Sequence, residues 1–436
     1  MDVFNVGRRS SDFLHYSTGM VTRGTNQQSS APYNRRIVLD VIRRHGSLSR
    51  KEIVERVALS PQTVANITSD LESVGLVVAR RLKVQKSRGQ PPIVFELNPN
   101  GGTSIGITIE PGTVRAALVN LVGQVIRKQD VEVDTHDRRG TLNVMVAVVS
   151  DLASVASSTG RVRGVGVALP GPFKVSSMSF VGPTVLEGWT DLSALDELHR
   201  ISGFPVIYSV DSVAGALGES LFGSAKNLSN FFYMHVGVGL GGTLVANRSA
   251  YKGANSNATE IGHVPIVPDG KACYCGNRGC LERYLSLHSL AEALGRADVK
   301  EGARELLVEM LSAREPALIA WCREAAVHLR NAVCMIENLL DPETIVIGGS
   351  APRALVEHIV ALSEPLHGSV RAGVAASQNR ILLSQHDEDS SILGAAVLPI
   401  YEMLSPRFEM LMQQRPEQSR VEGLLGGRAA GGLGRL

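Results

Sequence analysis

Between Tyr251 and Glu282 the chain reads YKGANSNATEIGHVPIVPDGKACYCGNRGCLE, a stretch that holds three of the five cysteines. Cys273 and Cys275 flank a single residue, Cys280 follows four residues after Gly276, and His263 stands ten residues upstream of Cys273. Three soft thiolates and one imidazole suit a closed tetrahedral Zn²⁺ site, because a d¹⁰ ion takes both donor types and imposes no geometry of its own. The glycines let the segment double back on itself. Two other arrangements are open to the same residues: a pair of buried thiols beside an unrelated histidine, or a disulfide. A long chain with no secretory character favours the metal over the disulfide. The expectation is Zn²⁺ on His263, Cys273, Cys275 and Cys280. Cys322 and Cys334 fall in helix-like segments and are expected in the core.

Two carboxylates bracket these ligands, Glu260 in Thr259-Glu260-Ile261-Gly262-His263 and Glu282 just after Cys280. An imidazole pinned by a metal through one nitrogen has its other nitrogen fixed in direction. A rigid imidazole between two carboxylates suits a polyhydroxylated ligand, since each hydroxyl can donate to a carboxylate and an analogue lacking one leaves a buried acceptor unpaired.

The pattern G-x-x-x-x-x-x-E-I-G-H from Gly253 to His263, followed by C-x-C-G-x-x-G-C-x-E from Cys273 to Glu282, resembles the signature of the ROK family, which groups sugar kinases with sugar-responsive transcriptional repressors. The similarity extends over roughly residues 104 to 400. It implies a two-lobed, actin-like (ribonuclease-H-like) α/β architecture with the sugar in the cleft. Gly164-Val-Gly-Val-Ala-Leu-Pro-Gly-Pro172 is similar to the family's strand and Pro-Gly turn at that cleft. Val206 to Glu219 is similar to the strand-to-helix turn that carries the kinases' general base, here Asp211. An Asp after a buried strand is equally a plain N-cap. Alongside Glu260, His263 and Glu282, Asp211 is expected to accept from a sugar hydroxyl. Val210 and Val213 replace family asparagines, so two amide contacts are expected to be missing.

With 436 residues, 44% hydrophobic and 20% charged, the chain can bury several cores. The first twenty residues contain no continuous apolar run, and no later segment approaches 18 uninterrupted apolar residues. Neither a signal peptide nor a membrane span is expected, and a soluble cytoplasmic protein follows. Residues 1–30 are polar and are expected to form a flexible arm, and residues 405–436, rich in glycine, a flexible tail.

Residues 31–98 read as a winged helix. A first helix over Tyr33–Arg44 places Ile37, Val38, Val41 and Ile42 on one side and stops at Gly46. Ser49-Arg50-Lys51-Glu52 is a capping-box pattern that opens a second helix burying Ile53, Val54 and Val57. Ser60-Pro61 opens a third, Pro61–Val74, with Ser60 as N-cap and Pro61 where its missing N–H is harmless. Two strands, Leu76–Val78 and Ile93–Leu97, then flank a basic segment holding Arg80, Arg81, Lys83, Lys86 and Arg88. Over residues 31–97 twelve Lys and Arg face six Asp and Glu, whereas the whole chain has a net charge of only +2. Positive charge concentrated on a small module is the footprint of a phosphate-backbone binder. Gln62, Thr63 and Asn66 at the start of the third helix are placed to reach base edges, or else form a solvated face. The module resembles the amino-terminal winged helix of ROK repressors, which ROK kinases lack. Arg88-Gly89-Gln90-Pro91-Pro92 takes the place of that group's Gly-Arg-Pro stretch in a different order.

Residues 104–404 are expected to form the sugar-binding ROK domain, whose hairpin in the kinases carries Asp-x-Gly-Gly-Thr around the ATP phosphates. Here the same place reads Thr108-Ile109-Glu110-Pro111-Gly112. Pro111 offers no N–H, Glu110 adds a repelling charge, and Thr108 stands for the metal-side Asp, so ATP should not bind. The second family loop, His235-Val-Gly-Val-Gly-Leu-Gly-Gly242, keeps its glycines but has Val238 in place of threonine. Helices are expected over 285–294, 317–340 and 391–403, the last packing closely through Gly394-Ala395-Ala396. Together these features predict a transcriptional regulator, a repressor and not an enzyme, with operator DNA and a carbohydrate effector as partners and a homodimer or homotetramer as its assembly. A sugar kinase with a degraded ATP loop and a DNA-binding regulator with a vestigial cleft are the rival readings.

Overall fold

A computed structural model of the chain describes residues 27–81, 92–110, 112–156, 160–171, 189, 192–296, 299, 304–371, 379–386 and 389–405. The basic residues Lys83, Lys86 and Arg88, Pro111, and most of the expected arm and tail lie outside the described residues. The first helix, α1, runs Gln27–His45, six residues longer at its start than the apolar pattern indicates, and passes through Pro32. Gly46, at φ 73°, ends it and donates to the carbonyl of Ile42. A two-residue strand, β1 (Leu48–Ser49), leads into α2 (Arg50–Val57), whose N-cap is the expected capping box of Ser49 and Glu52. In α3 (Pro61–Ser73) Ser60 Oγ accepts from the Thr63 amide, with Pro61 in the first turn. Strands β2 (Val77–Arg81) and β3 (Ile93–Leu97) complete the wing in the order β1-β3-β2. Leu39, Ile42, Ile53, Val64, Leu71 and Phe95 are fully buried together, since each helix carries its apolar residues on one stripe.

The next two sheets repeat one topology. In the first lobe β4 (Thr103–Glu110), β5 (Thr113–Asn120) and β6 (Val125–Glu132) form an antiparallel meander. Helix α4 (Arg138–Ala156) then leads to β7 (Val162–Leu169), parallel to β4, and α5 (Ser193–Ser202) to β8 (Val206–Val210), parallel to β7. After α6 (Asp211–Phe222), the second lobe lays down β9 (Phe231–Val236), β10 (Leu240–Ala246) and β11 (Ser249–Ala250) antiparallel. Helices α7 (Leu287–Leu294), α8 (Arg304–Ser312) and α9 (Pro316–Leu340) follow, then β12 (Ile345–Gly348) parallel to β9, α10 (Arg353–Leu362) and β13 (Ile381–Leu383) parallel to β12. The strand orders β6-β5-β4-β7-β8 and β11-β10-β9-β12-β13 are the same arrangement twice, the two-lobed ribonuclease-H-like architecture.

Helix α11 (Ser390–Leu404) returns to the first lobe and lies across β4 and β7. Gly106 and Gly166 are neighbours in that sheet, and a Cβ on either would stand 2.3 Å from the Ala396 amide nitrogen or 1.8 Å from the Ala395 carbonyl oxygen. Gly394 does the same for α6, where a Cβ would meet the Ala214 carbonyl carbon at 2.4 Å. The core of the winged helix is continuous with α6 and α11. On α1, Arg43 forms a buried pair with Asp40 at 2.6 Å and donates to the carbonyl of Leu221 in α6, while Arg36 donates to the carbonyl of Ser405 after α11. Among the described residues α4 alone has the length and hydropathy of a membrane span; it packs Leu142, Met145, Val149 and Leu152 into the first lobe. Cys322 is buried as expected, whereas Cys334 is only half-buried, its thiol donating to the carbonyl of Gly368 at 3.3 Å.

Candidate functional site

The cleft between the lobes encloses about 1050 Å³, counting its open mouth, and Asp211, Glu260, His263 and Glu282 all line it. They arrive from three separate elements. Asp211 is the first residue of α6, directly after the N-cap position at Val210, and its Oδ1 accepts from the adjacent Ser212 amide at 2.6 Å while Oδ2 lies 3.7 Å from His235 Nε2. Glu260 and His263 sit at a single 3₁₀ turn, Ile261–His263. Glu282 is buried, and its Oε2 accepts from the Leu240 amide at 2.9 Å, which ties the start of β10 to the cysteine segment. Burial first, and then the charges of Asp211 and Glu282, push Glu260 up to about 7. Val210 faces the cleft as expected, but Val213 is turned away and packs against the core of α6 and α11.

His263, Cys273, Cys275 and Cys280 bring their ligand atoms within 4.8 Å of one another. Cys275 Sγ lies 3.6 Å from Cys280 Sγ, and Cys273 Sγ 3.6 Å from His263 Nδ1. Metal–sulfur bonds of about 2.3 Å at tetrahedral angles place ligand atoms about 3.7 Å apart, so the donor set fits such an ion. The backbone is shaped for it: Gly276 and Gly279 take φ of 91° and 75°, and a Cβ on Gly279 would stand 1.7 Å from the Val267 carbonyl oxygen. Burial raises the Cys273 thiol, and burial together with the neighbouring thiols raises Cys280 further. At Cys275 burial acts in the same direction but is outweighed by hydrogen bonds, that from the Asn277 backbone first, and the net shift is downward. Crowded thiols that resist ionising together are what a divalent cation would relieve.

Two cleft residues were not singled out by the sequence reading. His235, the fifth residue of β9, lies at the cleft with Nε2 3.7 Å from Asp211 Oδ2. Tyr274, between two cysteines, also lines it and bonds His288 Nε2 through its hydroxyl at 2.7 Å. A histidine inside the apolar run Phe231–Val236, directly before a glycine turn, was the available signal for the first. On the far side of the cleft Glu110 stands where the β4–β5 turn faces the second lobe, 3.7 Å from Arg115 and 4.0 Å from Arg304 at the start of α8.

On the winged helix Gln62 and Asn66 are exposed and bond each other, Nε2 to Oδ1 at 2.9 Å. Thr63 is half-buried and engaged with Ser60 in the N-cap, so it has less freedom to reach outward than the sequence suggests. Arg81 is exposed at the end of β2, and Arg80, also exposed, pairs with Glu96 at 3.3 Å.

The sequence profile of the ROK family matches residues 104–401, and that of winged helix-turn-helix DNA-binding domains matches residues 33–78. The chain therefore belongs to the ROK family and carries a winged helix-turn-helix at its amino-terminal side. It is similar to the xylose repressor of Caldicellulosiruptor bescii, 27% identical over 392 residues that cover 85% of this chain and 96% of the repressor. It is also similar to a glucokinase of Halalkalibacterium halodurans, 28% identical over 57% of this chain and 81% of that enzyme. A crystal structure of a ROK family transcriptional regulator, described as a homologue of the Escherichia coli Mlc protein, superposes with a TM-score of 0.66 at 23% identity over 88% of this chain and all of the other.

Proposed function

We propose that this chain is a ligand-responsive transcriptional repressor. Residues 31–98 hold operator DNA, with Gln62, Thr63 and Asn66 at the bases and Arg80, Arg81, Lys83, Lys86 and Arg88 along the backbone. Residues 104–404 sense a carbohydrate through Asp211, Glu260, His263 and Glu282. The observation that carries the reading is the shared core of the winged helix and the first cleft lobe: a DNA-reading module is anchored to the end of α6, whose first residue is Asp211. Closure of the cleft on a sugar would then reorient the two winged helices of a dimer, and differential affinity of the sugar for two lobe angles would change operator affinity. Zn²⁺ on His263, Cys273, Cys275 and Cys280 would be structural, fixing the His263 ring at the wall of the cleft. A cytoplasmic location accords with operator DNA as the partner.

A kinase reading rests on Asp211 and on the glucokinase relative. Against it stands Glu110, which Arg115 and Arg304 hold at the turn that would have to receive nucleotide phosphates. The deciding experiment titrates the complex of the purified protein and its own upstream DNA with sugars and sugar phosphates. Release by one compound supports the ligand-gated repressor, and indifference to all of them favours a vestigial cleft. Sugar-dependent ATP hydrolysis would overturn the non-enzymatic reading.

A further inference from the structure

His235 and Asp211 approach each other from different elements. His235 lies in β9, beside Gly241 of β10 and Gly348 of β12, and Asp211 opens α6. The imidazole is 5% exposed. Its Nδ1 is buried and has no partner among the described residues, while Nε2 lies 3.7 Å from Asp211 Oδ2. A buried ring nitrogen with no acceptor nearby is best left as a bare lone pair, which places the ring proton on Nε2. That N–H then faces a carboxylate at a separation too long for a direct bond, which needs about 2.9 Å. It is, however, a separation that two groups can span by each touching one shared hydroxyl at about 2.8 Å.

The wall around this pair is cut to leave the space open. A Cβ on Gly237 would stand 3.1 Å from His235 Nε2 and 2.7 Å from Ser350 Oγ. A Cβ on Gly241 would stand 3.0 Å from the Ser212 Cβ and would drive β10 away from the start of α6. These glycines are thus accounted for without a bound phosphate.

The geometry points to His235 as a specificity-determining residue that grips one ligand hydroxyl jointly with Asp211: the hydroxyl accepts from His235 Nε2–H and donates to Asp211 Oδ2. The inference rests on the carbohydrate reading of the cleft and sharpens it. The pair selects a group that both accepts and donates, so it takes a hydroxyl and rejects a deoxy carbon, a keto oxygen or an anionic oxygen at that position.

The test measures binding of D-glucose, D-xylose and their monodeoxy analogues to the full-length, zinc-loaded protein by calorimetry, in wild type, His235→Leu and His235→Gln. In wild type one deoxy analogue is expected to bind about 10- to 100-fold more weakly than its parent. His235→Leu should weaken the parent by a comparable factor and weaken that analogue no further, and His235→Gln, which restores an N–H, should recover part of the loss. Circular dichroism identifies a variant that fails to fold, in which case the glutamine variant and the deoxy series decide the matter. Full additivity of the mutation and the deoxy substitution, or undiminished binding by His235→Leu, overturns the shared hydroxyl alone. Failure of both parent sugars to bind wild type overturns it together with the carbohydrate reading for these sugars.

Discussion

Replacing Glu260 by Gln should change how the stability of the protein depends on pH. The carboxyl rises from an ordinary value of 4.5 to about 7 in the folded chain because burial and the neighbouring carboxylates Asp211 and Glu282 disfavour its charge. A group raised on folding stabilises the native state fully below its unfolded value, and that contribution is lost as pH climbs through the folded value. The window is therefore pH 4.5 to about 7, with stability falling as pH rises. At about 1.4 kcal/mol per unit the whole shift corresponds to about 3 kcal/mol, and screening by water in an open cleft reduces this to about 2 kcal/mol. Glutamine keeps the shape without the charge, so the variant should exceed wild type by less than about 1 kcal/mol at pH 5 and by about 2 kcal/mol at pH 8. Urea unfolding of both proteins at saturating zinc, from pH 5 to 8.5, gives the difference directly. Parallel curves across that window would refute the placement of Glu260 as a buried carboxyl among carboxylates.

Cys275→Ser should lower bound zinc from one per chain to well below it and destabilise the second lobe, as read by metal analysis and thermal unfolding; full metal content would remove Cys275 from the ligand set. Gly166→Ala puts a Cβ against the Ala395 carbonyl and should cost about 3 kcal/mol, seen as a lowered urea midpoint, because backbone rather than a flexible side chain is in the way. Arg43→Met leaves Asp40 with Arg44 at 2.9 Å but strips the Leu221 carbonyl of its donor. A loss of about 1–3 kcal/mol should appear together in circular dichroism and in tryptophan fluorescence, and a change in one probe alone would contradict a shared core. Arg81→Ala should weaken binding to all DNA sequences alike and reduce the slope of log affinity against log salt by about 1.

The winged helix was legible because its signals are local. Ser49 with Glu52, and Ser60 with Pro61, are caps that satisfy exposed backbone amides within three residues, and the structure puts both helix starts there. The two-residue strand β1 and the extra turns of α1 carry no such signal, since pairing with β3 and tertiary packing decide them. The grouping of His263, Cys273, Cys275 and Cys280 was legible from spacing, as glycine turns of fixed length leave the thiols little choice of neighbours. The glycine loop that follows His235 announces no role for it, because its neighbour Asp211 lies on another element. Val213 shows what a motif position leaves out: the helical turn packs it against the core of α6 and α11. Thr63 bonds Ser60 at the start of α3, a local contact that its place on the helix does not announce.

The common core of α1, α6 and α11 means that the DNA-reading head is not a detachable cassette. Tyr401, Met403 and Leu404, at the far end of the chain from α1, belong to the same apolar cluster as Leu39 and Ile42. Recombination that exchanged only the first hundred residues between two members of the family would mate a head with an α11 shaped for another, leaving voids or clashes at the seam. New operator preference is more readily reached by substitutions on the exposed face of α3, which leave that seam untouched. A biosensor built by head exchange would, for the same reason, have to carry the last two turns of α11 along with the head.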